Sequence, residues 1–394
     1  MTESVVIAAG ARTPMAEYNG LFSDLSATDL AVLASREALS RSTFEPGEIE
    51  HVIFGNVMQT SADAIYLARH VGLKSGVPKE VPAVTVNRLC GSGFEALVQA
   101  KHRILVGEAK AVLAGGTENM TQAPHVIRGA RAGFRLGQGK LEDSLMAALT
   151  DSYCGLAMAQ TSDNIARRLG ISREEQDAFA VESQRRAADA WTSGRLAEEV
   201  VKVEAKKGRK VVVVEKDDHL TPDSTPETLA RLASAFGKDG MVTAGNASGI
   251  VDGACALVVT TESAARAKGL KPLGRLVTDA VAGVDPSEMG LGPVPAARKA
   301  LERAGKSLAD MDLIEINEAF AGQILGVVKE LGIDRERLNV NGGAIALGHP
   351  LGASGARLTL TLLLELRRRN KRWGLAGACI GGGQGIAIVV EAID

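Results

Sequence analysis

A pattern that occurs twice limits the fold of this chain more than any other feature. Val84-Thr85-Val86-Asn87 is followed by a glycine- and serine-rich turn containing Gly91-Ser92-Gly93, then a helical pattern, then Val112-Leu113-Ala114-Gly115-Gly116. Leu338-Asn339-Val340-Asn341 is followed by a second glycine-rich turn, Ala353-Ser354-Gly355, a helical pattern, and Cys379-Ile380-Gly381-Gly382-Gly383. The copies lie about 250 residues apart, far beyond the roughly 20–50-residue periods of solenoids, and so predict a duplicated half rather than an array. Strand and helix patterns alternate in each copy, which predicts α/β layers. Two such halves packed about a pseudo-twofold axis bring their glycine turns to one place.

Strands are expected at 4–9, 50–57, 82–87, 111–115, 312–316, 338–341, 375–380 and 385–391. Residues 1–120 with 249–270 form the first half and 271–394 the second. Residues 121–248 do not fit the repeat and are read as an insertion folding over the paired halves. The insertion holds a helical stretch over 172–193, opened by the capping-box pair Ser172 and Glu175. It also holds a hairpin over 200–215 that turns at Lys206-Lys207-Gly208-Arg209-Lys210. That basic run reads as a solvated turn, with phosphate binding as the alternative.

Bulk properties narrow the function. A chain of 394 residues needs two or three packed units. Its 45 basic residues against 47 acidic ones give a net charge of −2, which argues against nucleic acid as a partner. At 3% aromatic residues it also lacks stacking platforms for single strands. No stretch approaches the roughly 18 apolar residues that cross a bilayer, and the amino terminus has no basic flank before an apolar run. A soluble cytoplasmic protein is expected, with its four cysteines reduced.

Cys90 stands between an apolar strand and a helix with Phe94, Leu97, Val98, Ile104 and Leu105 on one face. At a helix N-terminus, free N–H groups and the dipole favour an anion, so a lowered thiol pKa and a nucleophilic role are expected. A small buried hydrophobe filling a tight turn is the competing reading. His349 occupies the matching turn of the second half, stiffened by Pro350, and a histidine beside a thiol makes an activated pair. It could equally be a packed turn histidine. The other five histidines, His51, His70, His102, His125 and His219, read as ordinary surface or packing residues.

Cys379 is a second cysteine in a glycine loop after a strand, whereas Cys154 and Cys255 read as structural. A protease needs only one cysteine. A zinc site wants about four ligands with close-spaced pairs, which are missing here. A redox pair remains open, although there is no Cys-x-x-Cys. One thiol to carry an acyl group and another to move a proton suit carbanion chemistry on a thioester. Asn317, in Asn317-Glu318-Ala319-Phe320, can hold a water or polarise a carbonyl, or simply cap a turn. The small-residue run Gly245-Asn246-Ala247-Ser248-Gly249 admits a close ligand, or is a tight turn.

Taken together and in order, Asn87-Arg88-Leu89-Cys90-Gly91-Ser92-Gly93, Gly245-to-Gly249, Asn317-to-Phe320, Gly348-His349-Pro350 and Cys379-to-Gly383 resemble the thiolase family, and the likeness runs from end to end. The resemblance implies a five-layer αβαβα sandwich of duplicated halves with an inserted loop domain that binds coenzyme A, assembled as a homodimer or homotetramer. It implies an acyltransferase of fatty acid metabolism that joins two acetyl-CoA into acetoacetyl-CoA and CoA, or cleaves longer 3-ketoacyl-CoA with CoA. Coenzyme A would be substrate or product, with no permanently bound cofactor and no metal.

By the same resemblance Cys90 carries the acyl group, His349 activates it, and Cys379 moves the α-proton. His349 with a water held by Asn317 would form one oxyanion hole, and the N–H groups of Cys90 and Gly381 the other. Ser248 would contact the pantetheine arm, with Met158, Phe236, Phe320, Ala319 and Ser224 also near coenzyme A. Leu156-Ala157-Met158-Ala159 departs from the Tyr-His-Met-Gly of short-chain biosynthetic thiolases. Thr221 stands where several relatives have an arginine at the nucleotide end. This stretch and residues 61–70 are more similar to mitochondrial-type 3-ketoacyl-CoA thiolases. Two alternatives share the fold. A decarboxylating ketoacyl synthase would carry His or Asn in place of Cys379. A non-catalytic acyl-CoA or lipid-binding protein would not need the full set of Cys90, Asn317, His349 and Cys379. A nucleotide-dependent oxidoreductase is excluded, because no Gly-x-Gly-x-x-Gly opens a helix after the first strand.

Overall fold

The computed structural model describes residues 3–393. The first half contains β1 (Val5–Arg12), α1 (Ala27–Ser42), β2 (His51–Gly55), α2 (Leu67–Lys74), β3 (Ala83–Val86), α3 (Ser92–Leu105), β4 (Ala111–Glu118) and β5 (Val251–Thr261). The second half contains β6 (Gly274–Gly283), α4 (Pro293–Ala304), β7 (Leu313–Ile316), α5 (Ala321–Leu331), α6 (Ser354–Arg368), β8 (Trp373–Ile380) and β9 (Gln384–Ala392). In the first half the strands lie in the order β3-β2-β4-β5-β1. There β2 is parallel to both β3 and β4, while β5 is antiparallel to β4 and β1. The second half runs β7-β8-β9-β6, with β7 and β8 parallel and β9 antiparallel to both β8 and β6. Order and direction repeat over four of the five positions, as the duplicated sequence pattern predicts.

The missing counterpart of β3 is the segment 338–341, which the sequence suggests is a strand. It makes only a single bridge, Ile314 to Leu338. The cause is Asn339, whose backbone is left-handed at φ 46°. Its side chain takes over the ladder instead: Oδ1 accepts from the Ile316 N–H and Nδ2 donates to the Ile316 carbonyl, both at 2.9 Å. The two half-sheets meet where β1 and β6 pair antiparallel at Val6–Arg275 and Ile7–Gly274.

Strands covered on both faces carry continuous apolar runs, and all of β5 is buried. One outer core joins α1 and α2 to the first half-sheet through Leu30, Ala34, Val71, Leu113 and Val258. The opposite outer core joins α4 and α5 to the second through Ala297, Leu301, Ile324, Leu375 and Val389. Between the half-sheets, α3 and α6 share a central core with Phe94, Leu97, Leu358, Leu362, Cys255 and Ile388. The five αβαβα layers are therefore present. No helix among the described residues is long and apolar enough to cross a membrane.

Helices α3 and α6 touch at their first turns. A Cβ on Gly93 would lie 2.6 Å from the Ala356 nitrogen, and one on Gly355 would lie 2.2 Å from the Phe94 nitrogen. Backbone meets backbone there, so no side chain fits. Gly355→Ala is expected to destabilise the fold by about 1–3 kcal/mol through overpacking. Chemical denaturation measures it; an unchanged midpoint would contradict this close approach.

The insertion follows the sequence expectations where they were specific. Helix Arg173–Thr192 opens with the Ser172–Glu175 capping box. Strands Val203–Lys207 and Lys210–Val214 form the expected hairpin.

Candidate active site

The turn that carries Cys90 is fixed by its own side chains. Asn87 Oδ1 accepts from the Leu89 N–H at 2.9 Å. Ser92 Oγ accepts from the Arg88 N–H at 2.8 Å and donates to the Leu89 carbonyl at 2.7 Å. These bonds hold Leu89 at φ 46°, a left-handed conformation that non-glycine residues rarely adopt. Cys90 follows, one residue before the N-cap of α3. A Cβ on Gly91 would meet Ile380 Cδ1 at 2.7 Å, so the end of β8 from the other half abuts this turn.

The thiol does not show the depressed pKa expected of a helix N-terminus. Burial pushes Cys90 up to about 11, although the backbone N–H groups of Gly381 and of Cys90 itself pull the other way. Desolvation of a thiolate in an enclosed site outweighs the few dipoles aimed at it. The resting sulfur is a thiol, and it needs a proton acceptor.

A buried imidazole stands on the second half. Ser354 Oγ donates to the Pro350 carbonyl at 3.0 Å, and His349 Nδ1 lies 2.5 Å from Ser354 Oγ. Because the hydroxyl proton is committed, the network assigns the ring proton to Nδ1 and leaves Nε2 as the acceptor. Nε2 lies 3.3 Å from Asn317 Nδ2. Burial, with Arg357 adding to it, lowers His349 to about 3, so the ring is neutral at physiological pH. Its backbone N–H donates to the Gly249 carbonyl at 3.0 Å. Asn317 follows β7 and is anchored by its N–H to the Gly377 carbonyl at 2.9 Å. Its Oδ1 is buried without a partner among the described residues.

Cys379, near the end of β8, is fully buried. Burial first, and neighbouring Cys90 second, raise its thiol far above the ordinary range. It packs with Met289 and Ala319, flanked by Met158 and Phe320. A Cβ on Gly381 would come within 3.2 Å of Leu89 Cδ1 and 3.4 Å of Met158 Sδ. The 245–249 loop is stitched to both neighbouring segments: Ser248 N–H donates to Ala319 O at 3.0 Å, and Ala321 N–H to Asn246 O at 2.9 Å.

Cys90, Gly381, Cys379, His349, Asn317, Ala319, Phe320, Met158 and Ser248 thus form one connected region. Ser224 and Phe236 are not joined to it. Ser224 Oγ donates within its own turn to Thr221 O at 2.8 Å, and Phe236 is half-buried and absent from the apolar cluster around Cys379. Cys255 is buried in β5, Cys154 is half-buried in the insertion, and all four cysteines are free. Among the described residues no group of His, Cys, Asp and Glu side chains is placed to hold a metal.

Two residues here escaped sequence reasoning: Leu89 and Ser354. The position of Ser354 five residues after His349, at the mouth of a helix, was the available signal.

Comparison with known proteins gives a consistent picture. A family profile described as the N-terminal domain of thiolase matches residues 5–263, and one for the C-terminal domain of thiolase matches residues 270–392. Human mitochondrial 3-ketoacyl-CoA thiolase is 51% identical over 395 residues, covering 100% of this chain and 99% of its own. Acetyl-CoA acetyltransferase of Syntrophomonas wolfei is 46% identical over 398 residues, with 100% of both chains covered. The crystal structure of the human mitochondrial enzyme in complex with CoA matches at a TM-score of 0.97 and 50% identity, over 100% of this chain and 99% of that one.

Proposed function

This chain belongs to the thiolase family, and from that premise we propose that Cys90 is the nucleophile that carries the acyl group, with His349 and Cys379 as its two proton-transfer partners. The protein is an acyltransferase acting on CoA thioesters, and coenzyme A is its substrate or product rather than a resident cofactor. The observation that supports the assignment is that the end of β8, which carries Cys379 and Gly381, abuts the Cys90 turn: a Cβ on Gly91 would meet Ile380 Cδ1 at 2.7 Å, and one on Gly381 would come within 3.2 Å of Leu89 Cδ1.

In thiolysis, His349 Nε2 takes the Cys90 proton as the sulfur attacks the 3-keto carbon. The N–H groups of Cys90 and Gly381 hold the resulting oxyanion. The bond between C2 and C3 breaks, and its electron pair forms the enolate of acetyl-CoA. Protonated His349 and a water held by Asn317 stabilise that enolate, and the Cys379 thiol protonates C2. Acetyl-CoA leaves. The Cys379 thiolate then takes the proton of incoming CoA, whose sulfur attacks the acyl-Cys90 thioester. His349 returns its proton to the departing Cys90 sulfur, so both thiols and the imidazole regain their starting states. Condensation of two acetyl-CoA runs the same steps backwards. A lost oxyanion donor of this kind costs roughly 3–4 kcal/mol.

Around this centre, Ser248 and Ala319 are proposed to face the pantetheine arm, and Met158 and Phe320 the acyl end. Ser224 and Phe236 are assigned to the outer part of coenzyme A. A homodimer or homotetramer is proposed; the insertion exposes Ile127, Phe134, Leu136 and Leu141, apolar area that assembly would cover, and light scattering after gel filtration reads the mass. Free cysteines suit a reducing compartment such as the cytoplasm.

The assignment is tested by mass spectrometry of intact protein after acetyl-CoA treatment, followed by peptide mapping. One acetyl group on Cys90 is expected; an adduct elsewhere, or none, defeats the mechanism. Thiolysis of four-carbon and sixteen-carbon 3-ketoacyl-CoA then reads the acyl range. Ser354→Ala removes the group that orients the imidazole, and kcat is expected to fall about 10- to 100-fold with KM little changed. Steady-state kinetics at wild-type folded content check it; an unaltered kcat would remove Ser354 from the mechanism.

A further inference from the structure

Glu118 ends β4 with its side chain fully buried, and none of the steps above uses it. Its Oε1 accepts from Asn56 Nδ2 at 3.0 Å and from the Met58 N–H at 2.9 Å. Its Oε2 accepts from the Val57 N–H at 3.1 Å and from the Gly352 N–H at 2.9 Å. Three donors come from the loop after β2, and the fourth comes from the turn of the other half.

Each side leads on to a reactive group. The Val57 carbonyl accepts from Asn87 Nδ2 at 3.1 Å, and Asn87 Oδ1 accepts from the Leu89 N–H at 2.9 Å. Cys90 is the next residue. On the other side Gly352 lies between Pro350 and Ser354, the residues that set the His349 ring. This turn rests directly on the end of β4: a Cβ on Gly352 would come within 2.5 Å of the Thr117 carbonyl oxygen.

We propose that Glu118 is a positioning residue for the thiolase reaction, a single carboxylate that fixes the Cys90 turn and the His349 turn relative to each other. The proposal rests on the roles given above to Cys90 and His349. Four converging donors require a group that only accepts. A glutamine there would turn its NH2 toward two of them whichever way it faced, leaving buried N–H groups unpaired. Burial raises Glu118 to about 7 against the pull of its backbone donors. Above that value the carboxylate, the form all four donors fit, prevails.

Glu118→Gln and Glu118→Asp enzymes are assayed for acetoacetyl-CoA thiolysis at about pH 8, with melting temperature and the rate of Cys90 acetylation by acetyl-CoA measured alongside. A shift of about 1 Å between reacting groups costs on the order of 100-fold in rate, so kcat of E118Q is expected to fall about 100-fold with KM for CoA within about threefold. Acetylation of Cys90 slows in parallel, and E118D, which keeps the charge, recovers about tenfold of the lost kcat. A folded E118Q with kcat within about threefold of wild type overturns the proposal, as does a loss confined to KM, or an E118D no better than E118Q. If E118Q does not fold, E118D decides alone: kcat lowered about tenfold at constant KM supports the proposal, and wild-type kcat overturns it. Wild-type protein that takes no acetyl group on Cys90 defeats the underlying reading instead. Acetylated wild type beside an unimpaired E118Q defeats only the role of Glu118.

Discussion

Replacement of Cys90 by serine is expected to lower acetoacetyl-CoA thiolysis by more than about 10⁴-fold while leaving the fold intact. The magnitude follows from the electrostatics of the enclosed site. Burial already holds the Cys90 thiol at about 11, and the imidazole proposed as its proton acceptor is lowered to about 3. Transfer between them is uphill and is driven only by bond formation to the substrate. A serine hydroxyl is a far weaker acid, so the same imidazole cannot activate it. The sign of the pH dependence follows too. A group whose folded pKa is raised releases its proton later, so the reactive fraction of Cys90 grows with pH throughout the neutral range. Alkylation by iodoacetamide should rise across that range with a midpoint above the ordinary thiol value of about 8.5. A plateau near neutrality would mean a resting thiolate, contrary to the burial argument. Stopped assays of purified C90S, with circular dichroism for folding, settle the first point: residual thiolysis above about one per cent of wild type would remove Cys90 as the covalent carrier.

Cys379→Ser separates the two half-reactions. Cys90 should still acquire an acetyl group from acetyl-CoA, though slowly, because attack on the thioester uses His349 and the N–H groups of Cys90 and Gly381, while Cys379 supplies only the proton to the departing CoA thiolate, which water can give instead. Overall thiolysis and condensation should fall about 10²–10⁴-fold, the range supplied by a positioned acid or base. The buried environment that raises the Cys379 thiol makes it a strong base once deprotonated, as removal of an α-proton demands. A hydroxyl of the same size is a far weaker acid than the thiol, so it is not deprotonated at a usable pH and cannot serve as the base. Mass spectrometry follows acetylation, and thioester absorbance follows turnover. Loss of both activities together would place Cys379 in the acylation step and refute the division.

The duplicated fold was legible in the sequence because each half repeats a strand, a glycine turn, a helix and a strand. Both α3 and α6 begin where Gly93 and Gly355 allow contact, and both glycines stand in the repeated pattern. The failure at 338–341 has a local cause, since a left-handed Asn339 replaces ladder bonds with side-chain bonds. Hydrophobic alternation does not register that. The thiols and the imidazole were legible as residue types in suggestive turns, but their acidity was not. A helix N-terminus suggests a lowered thiol pKa, whereas burial from five layers raises it, and burial of a site between halves depends on packing distant in sequence. Glu118 was missed for the same reason, because its partners Val57 and Gly352 come together only once the turns have met, whereas the partners of Ser354, Pro350 and His349, are local and left a signal in the spacing.

The glycine contact between α3 and α6 has a consequence for how this enzyme can diversify. With main chain against main chain at that crossing, the frame holding sulfur and imidazole has almost no tolerance for drift. The insertion's outer elements, such as the hairpin Val203–Lys207 and Lys210–Val214, lie outside that crossing. Change in such outer parts of the insertion can accumulate without moving the crossing that fixes the two catalytic turns.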